Sequence, residues 1–180
     1  MDIIHFAIFD SSLGNMLLVS KGGRLSELDI SKESDYKIRK AFLAHYPDAL
    51  ESIEPFSKVN ILLDRYLKGE RVDFDMDVDI SHLGVFTRKV LLETRKIPYG
   101  EVRSYNWIGR RLGYKNAARA VGQALKRNPI PIIIPCHRVI REDGTLGGFS
   151  IGLHIKEKLL VLEGALNAVG SKQASKTPNS

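Results

Sequence analysis

Ser104-Tyr105-Asn106-Trp107-Ile108-Gly109-Arg110-Arg111-Leu112-Gly113-Tyr114-Lys115-Asn116-Ala117-Ala118-Arg119-Ala120-Val121-Gly122-Gln123-Ala124-Leu125-Lys126-Arg127 decides how the second half of this 180-residue chain is read. Ser104 is a good N-cap and predicts a short helix over Tyr105–Leu112. Gly113 supplies a turn, and Asn116 is placed to cap a second helix over Ala117–Arg127, which ends before Asn128-Pro129. Two short helices joined by a glycine turn read as a helix-turn-helix, a motif of DNA-binding proteins, although helical hairpins of this form are common in enzymes too. The second helix is poor in side chain: Ala117, Ala118, Ala120, Gly122 and Ala124 would let its backbone come very close to a neighbour. Tight helix–helix packing is the simpler reading of that surface. Arg119 does not fit it, because a long cation on a small-residue helix is better suited to probing a nucleic-acid groove.

The charge around this stretch is one-sided. Residues Arg88 to Arg141 hold 13 Lys and Arg against Glu93 and Glu101 alone, while the rest of the chain holds 14 basic and 19 acidic residues. The net charge of +6 is therefore the balance of a basic block and a mildly acidic remainder. Such a block favours a polyanionic partner, most simply nucleic acid. It is not one amphipathic helix with an apolar face, which disfavours a membrane surface. No apolar run approaches the length that spans a bilayer, and Met1–Asp10 is too short and too acidic for a secretory signal. The sequence thus predicts a protein that stays inside the cell, in the cytoplasm or, where there is one, the nucleus. A composition of 43% hydrophobic and 27% charged residues is that of an ordinary globular chain.

Downstream, Asn128-Pro129-Ile130-Pro131-Ile132-Ile133-Ile134-Pro135 is expected to be stiff and extended, since its prolines fix φ and exclude helix. It leads into Cys136-His137-Arg138-Val139-Ile140. Cys136 is the only cysteine, so it makes no internal disulfide, and a reduced setting is favoured. A Cys beside a His in basic surroundings has what a reactive thiolate needs, whereas a lone Cys is more often a small buried hydrophobe. Arg141–Ser150, with Gly144, Gly147 and Gly148, reads as a loop able to approach a ligand closely. A last helix is predicted over Gly152–Glu163, and residues 166–180, rich in Ser, Lys and Asn, read as a disordered tail.

The first 80 residues read as strands followed by helices. Ile3–Phe9, Asn15–Ser20 and Arg24–Ile30 are strand-like and are separated by Ser11–Gly14 and by Gly22-Gly23. Helices are predicted over Asp35–Tyr46 and Pro55–Lys68, the second burying Val59, Leu62, Leu63 and Tyr66. Arg71–Ile80 alternates apolar and charged residues and predicts a further strand. Nothing catalytic stands out in this half. Ser81–Gly84 is a plausible boundary, followed by a helix over Val85–Lys96 with Val85, Val90, Leu91 and Leu92 on or near a buried stripe. The fold class expected is α+β.

Four motifs in one order carry a resemblance: Gly100-Glu101-Val102-Arg103-Ser104-Tyr105, Ala117-Ala118-Arg119-Ala120-Val121-Gly122, Asn128-Pro129 and Pro135-Cys136-His137-Arg138-Val139-Ile140. Together they resemble the O6-alkylguanine-DNA alkyltransferase family over roughly residues 84 to 164. The resemblance implies an N-terminal RNase H-like α/β domain with a small sheet over residues 1–80. It implies a C-terminal, mostly helical domain with the helix-turn-helix and active-site cysteine over 84–165.

What the resemblance implies for function is repair by direct reversal of damage. The family takes the alkyl group of O6-alkylguanine, with O4-alkylthymine as a second candidate substrate, onto its own cysteine, here Cys136. The base is flipped out of the duplex to reach it. Arg119 would take the place of the flipped nucleotide, and Tyr105 would promote rotation and line the pocket. Ala118, Ala120 and Gly122 would lie in the minor groove, which admits little side chain. Neighbouring side chains of an extended chain point to opposite faces, so His137 is not expected to touch the sulfur directly. The resemblance implies a Cys136–water–His137–Glu163 relay; on its own Glu163 reads as a plain helix-end carboxylate. Asn128 corresponds to the family's hinge. Val139, Phe149, Ser150 and Ile151 fall at pocket positions, Ile151 standing where a small residue is usual and therefore expected to narrow the pocket. No cofactor is expected. Nor is a metal, since His5, His45 and His82 lack ligand spacing. The expected partner is double-stranded DNA carrying O6-alkylguanine, bound by a monomer with no obligate protein partner and no membrane. The rival reading is an alkyltransferase-like protein that binds the lesion without transferring the group; those relatives lack the cysteine.

Overall fold

The computed structural model describes residues 2–166. The chain divides into two compact units between His82 and Leu83. In the first, strands β1 (Ile4–Phe9), β2 (Asn15–Lys21) and β3 (Arg24–Ser31) form an antiparallel meander, and the two-residue β4 (Leu50–Glu51) pairs parallel with β1. The sheet order is β3-β2-β1-β4. Period-two alternation sends Phe6, Leu17 and Val19 to one face, where helix α1 (Asp35–His45) covers them with Phe42. Phe6 and Phe42 meet at 4.8 Å between ring centroids. Helix α2 (Ser57–Leu67), entered through a 3₁₀ turn at Glu54–Phe56, buries Val59, Leu63 and Tyr66.

Arg71–Ile80 differs from its expected strand. The alternation is real, in that Val72, Phe74 and Ile80 are buried, but the segment pairs only through a single bridge from Val78 to Leu25. An alternating pattern reports a half-buried extended chain; a ladder also needs several residues in register with a neighbouring strand, and here the segment meets the free edge of β3 at Val78 and Asp79, opposite Leu25.

The second unit is built from helices α3 (Val85–Arg95), α4 (Tyr105–Arg111), α5 (Ala118–Lys126) and α6 (Leu153–Leu162), with a parallel pair of two-residue strands, β5 (Arg103–Ser104) and β6 (Val139–Ile140). On α3, Val90 and Leu91 are buried as expected, but Val85 and Leu92 are exposed. Ser104 caps α4 by accepting from the Trp107 N–H at 3.1 Å. Asn116 does not cap α5: it sits in the left-handed region at φ 55°, ending the turn, and Ala117 occupies the cap position without a side-chain bond. Asn tolerates that conformation better than other side chains.

The proline segment is not extended either. Pro131 bridges Ile134 across a tight turn in which Ile132 takes φ 73°, and Cys136–Arg138 then form a 3₁₀ turn. Prolines exclude helix but not a turn between them. The predicted tail lies outside the described residues apart from Leu166, which packs partly buried against the cluster of Ile140, Leu160 and Ala165. No helix among the described residues is long and apolar enough to cross a membrane.

Candidate active site

Helices α4 and α5 set the site. On α5, Val121, Ala124 and Leu125 face inward, while Arg119 and Ala120 are exposed. The small-residue surface is thus divided: Ala124 and Ala117 pack within the unit, Ala117 close to Gly109 of α4, while Ala120 is exposed and Ala118 and Gly122 are half-buried. Among the described residues, Arg103, Arg110 and Arg111 on and before α4 pair with Glu101, Glu142 and Glu93, whereas Arg119, Lys126 and Arg127 form no ion pair. The uncompensated cations of this helix pair therefore gather on α5.

A cavity of ≈ 620 Å³ opens beside α5, walled by Ala118, Arg119 and Gly122 from the helix, by Tyr105 at the start of α4, and by Phe149 and Ser150 from the glycine-rich loop. Cys136, only 5% exposed, lies on its wall. Lys126, Arg141, Gly147 and Gly148 also line it. Ala120, Val139 and Ile151 do not. Val139 is fully buried and presents its carbonyl to a lysine, and Ile151 stands off the wall, so this cavity gives no sign of the narrowing expected from Ile151. Gly147, at φ 70°, has no room for a side chain, because an added Cβ would come within 2.6 Å of the Tyr105 hydroxyl. Tyr105 in turn donates toward the Gly148 carbonyl at 3.4 Å.

The sulfur is held by Asn128. Its amide nitrogen lies 3.1 Å from Cys136 Sγ and 2.9 Å from the Ile134 carbonyl, and its oxygen accepts from the Ile130 N–H at 3.0 Å. One side chain thereby closes the turn after α5 and donates to the sulfur. Burial pushes the Cys136 thiol up, against the opposing pulls of the Asn128 bond and the Lys156 ammonium. Burial therefore opposes the thiolate that the basic surroundings suggested.

Behind it, a buried charge cluster supports the cysteine turn. His137 Nε2 is 2.8 Å from Glu163 Oε1, and both side chains are wholly inaccessible. Arg138 reaches the same carboxylate: Nε donates to Oε2 at 2.9 Å, Nη2 to Oε1 at 2.9 Å, and Nη1 to the Ile97 carbonyl at 2.6 Å. The Gly100 N–H adds a bond to Oε2 at 3.2 Å. Burial alone would raise the Glu163 carboxyl, but the hydrogen bonds from His137 and Arg138 prevail and hold it at about 2. Burial pushes the His137 imidazole down, Glu163 pulls it up, and the charges of Arg138 and Lys156 push it down again. Lys156, from α6, is fully buried; its Nζ donates to the Val139 carbonyl at 2.6 Å and lies 5.9 Å from the Tyr105 ring centre, and burial pushes it down to about 8.

Arg138 and Lys156 were not singled out from sequence. A signal was there: Lys156, Leu159, Leu160 and Glu163 recur at helical spacing, so one charged residue falls on the buried stripe of α6 and another at the position that ends it. No group of His, Cys, Asp and Glu among the described residues could hold a metal.

A sequence-family model described as 6-O-methylguanine DNA methyltransferase, DNA binding domain, matches residues 85–165, and one described as the ribonuclease-like domain of the same proteins matches residues 4–80. The chain belongs to the methylated-DNA–protein-cysteine methyltransferase family. The family member of Methanosarcina acetivorans is 40% identical over 164 residues, covering 90% of this chain and 99% of that one. That of Metallosphaera sedula is 38% identical, covering 94% and 99%. The crystal structure of Mycobacterium tuberculosis OGT in complex with DNA superposes with a TM-score of 0.77 at 35% identity, covering 89% of this chain and 93% of that one. The fold is accordingly the family's α+β arrangement of a ribonuclease-like unit and a helical one.

Proposed function

We propose that this protein repairs DNA by taking the alkyl group of O6-alkylguanine irreversibly onto Cys136, one group per molecule. The observation that carries the reading is that Cys136 shares one cavity with Tyr105 and with Arg119 and Gly122 of the exposed small-residue helix. A nucleotide inside a duplex cannot reach a sulfur at that depth, so the base must be turned out of the stack. Helix α5 lies in the minor groove, where Ala118, Ala120 and Gly122 give close approach, and Arg119 fills the space the nucleotide leaves. Binding by this basic face depends on salt and little on sequence.

In the transfer, Cys136 Sγ attacks the alkyl carbon, the carbon–O6 bond breaks, and its electron pair stays on the guanine. The Tyr105 hydroxyl, on the cavity wall, supplies a proton to the departing base. The thiol proton leaves through a relay to His137, which Glu163 orients. His137 then releases that proton and Tyr105 regains one through solvent, so the net exchange is one alkyl group for one proton. A thioether has no route back to thiol here, so the reaction stops after one turnover.

Incubation with duplex DNA containing O6-methylguanine, followed by intact-mass measurement, tests this. The expected result is a gain of one methyl, located on Cys136 and absent in Cys136→Ser, with one equivalent of lesion consumed. Tight lesion binding without a mass gain would instead make this a lesion-binding relative, and turnover beyond one equivalent would overturn the stoichiometric mechanism.

A further inference from the structure

The motif that carries Cys136 and His137 continues into Arg138, whose side chain has no part in the reaction just derived. It is 7% exposed, and its guanidinium engages both oxygens of Glu163, the Ile97 carbonyl and, at 5.8 Å, the ring of Tyr99. A guanidinium keeps its charge at any accessible pH, and its planar fork fits a carboxylate in one orientation. His137 and Arg138 therefore compete for one negative charge in a site closed to bulk solvent.

We propose that Arg138 is a positioning residue for the alkyl transfer: by holding both oxygens of Glu163 it aims the carboxylate at His137 Nε2 and supplies the permanent countercharge, so that the imidazole enters the reaction uncharged and able to take the thiol proton. The charge count explains why. With Arg138 present, the Glu163 charge is already balanced, and a second proton on His137 would leave a net positive charge buried beside Lys156. Without Arg138, Glu163 would be a lone buried carboxylate, and protonating His137 would be the cheapest way to neutralise it. An imidazolium cannot act as the base. The groups bearing on His137 are Glu163 and Lys156 at the end and start of the last helical stretch, Arg138 on its own turn, and Cys136 one residue before. Of these, Arg138 is the cation that grips both oxygens of the carboxylate facing His137.

The inference rests on the proposed transfer to Cys136, and the experiment separates the two. Single-turnover rates of methyl transfer are measured against pH for the full-length protein and for Arg138→Gln and Arg138→Lys, alongside binding to an unmodified duplex. Arg138→Gln is expected to slow transfer about tenfold at pH 7. It should also move the acidic limb of the profile up by about one pH unit, with duplex affinity unchanged. Arg138→Lys restores the charge without the fork and should return the limb towards the wild-type position while recovering only part of the rate. A folded Arg138→Gln protein with the wild-type limb and rate overturns the inference and leaves the transfer reading intact; no methyl on wild-type Cys136 overturns the transfer reading itself. Should Arg138→Gln fail to fold, nitrogen-15 NMR of wild-type His137 decides. A neutral ring with its proton on Nε2 from pH 6 to 8 is expected, and an imidazolium at pH 7.5 sinks the proposal.

Discussion

The two units bury different chemistry. Among the described residues, the first hides only the serines Ser20 and Ser26 beneath its surface, together with an apolar core around the sheet. The second hides Glu93, His137, Arg138, Lys156 and Glu163 as well as Asn128. Desolvating charged groups opposes folding, and their mutual attraction offsets the cost only when geometry is good. A unit that accepts five buried ionisable side chains is therefore shaped by something other than stability, and each of the last four named lies within the cluster around Cys136. The ribonuclease-like unit, by contrast, reads as a core whose job is to fold.

Substitutions can break that comparison. The largest effect is expected from Glu163→Ala, which strands the Arg138 charge in the interior. It should cost about 3–5 kcal/mol and abolish transfer. Leu63→Ala in the first unit, at a fully buried position, should cost a similar ~2–5 kcal/mol yet leave the transfer rate per folded molecule unchanged. Chemical denaturation together with the mass assay checks both, and a Leu63→Ala protein that folds but transfers slowly would mean the division of labour is wrong.

The acid limb of stability sharpens the contrast. The Glu163 carboxyl sits at about 2 in the folded protein against an ordinary 4.5, so its contribution is complete above pH 4.5 and is lost as pH falls towards 2. That contribution is on the order of 3 kcal/mol, and denaturation curves between pH 5 and 2 should be flatter in Glu163→Gln than in wild type. Next in size, Gly147→Ala places a side chain against the Tyr105 hydroxyl at a positive φ. A loss of about 1–3 kcal/mol and slower transfer are expected, with duplex binding retained. The smallest effect belongs to Glu27 in the first unit, whose carboxyl is raised by burial and by neighbouring Asp29. Its ionised form opposes folding above the ordinary carboxylate range, so Glu27→Gln should raise the melting temperature at pH 7 slightly, by less than about 1 kcal/mol in stability, and do nothing to transfer.

The sequence exposed the helix pair because Ser104 and Gly113 are local signals, and local signals survive folding. The cysteine could be found because its neighbours form a motif. What escaped depends on contacts distant in sequence. The alternation in Arg71–Ile80 could not say that the segment meets the edge of β3 by a single bridge at Val78, and the prolines before Cys136 could not reveal the turn that Ile132 makes between them. Arg138 and Lys156 stayed hidden because a charged side chain is normally solvated; only the partner carboxylate and carbonyls, brought in by α6 and by the loop ends, make their burial tolerable. Asn128 fitted a hinge, but its bond to the sulfur needed coordinates.

The short β5–β6 pair ties the residues that open α4 to those that follow the cysteine turn, Arg103 to Val139 and Ser104 to Ile140. Asn128 fastens the same turn to the end of α5. On the proposed mechanism, Cys136 clamped at both ends would be the stop at the bottom of a depth gauge. A base would have to swing through the full depth to be tested against it, and a well-stacked guanine would be screened out by reach before chemistry could distinguish it.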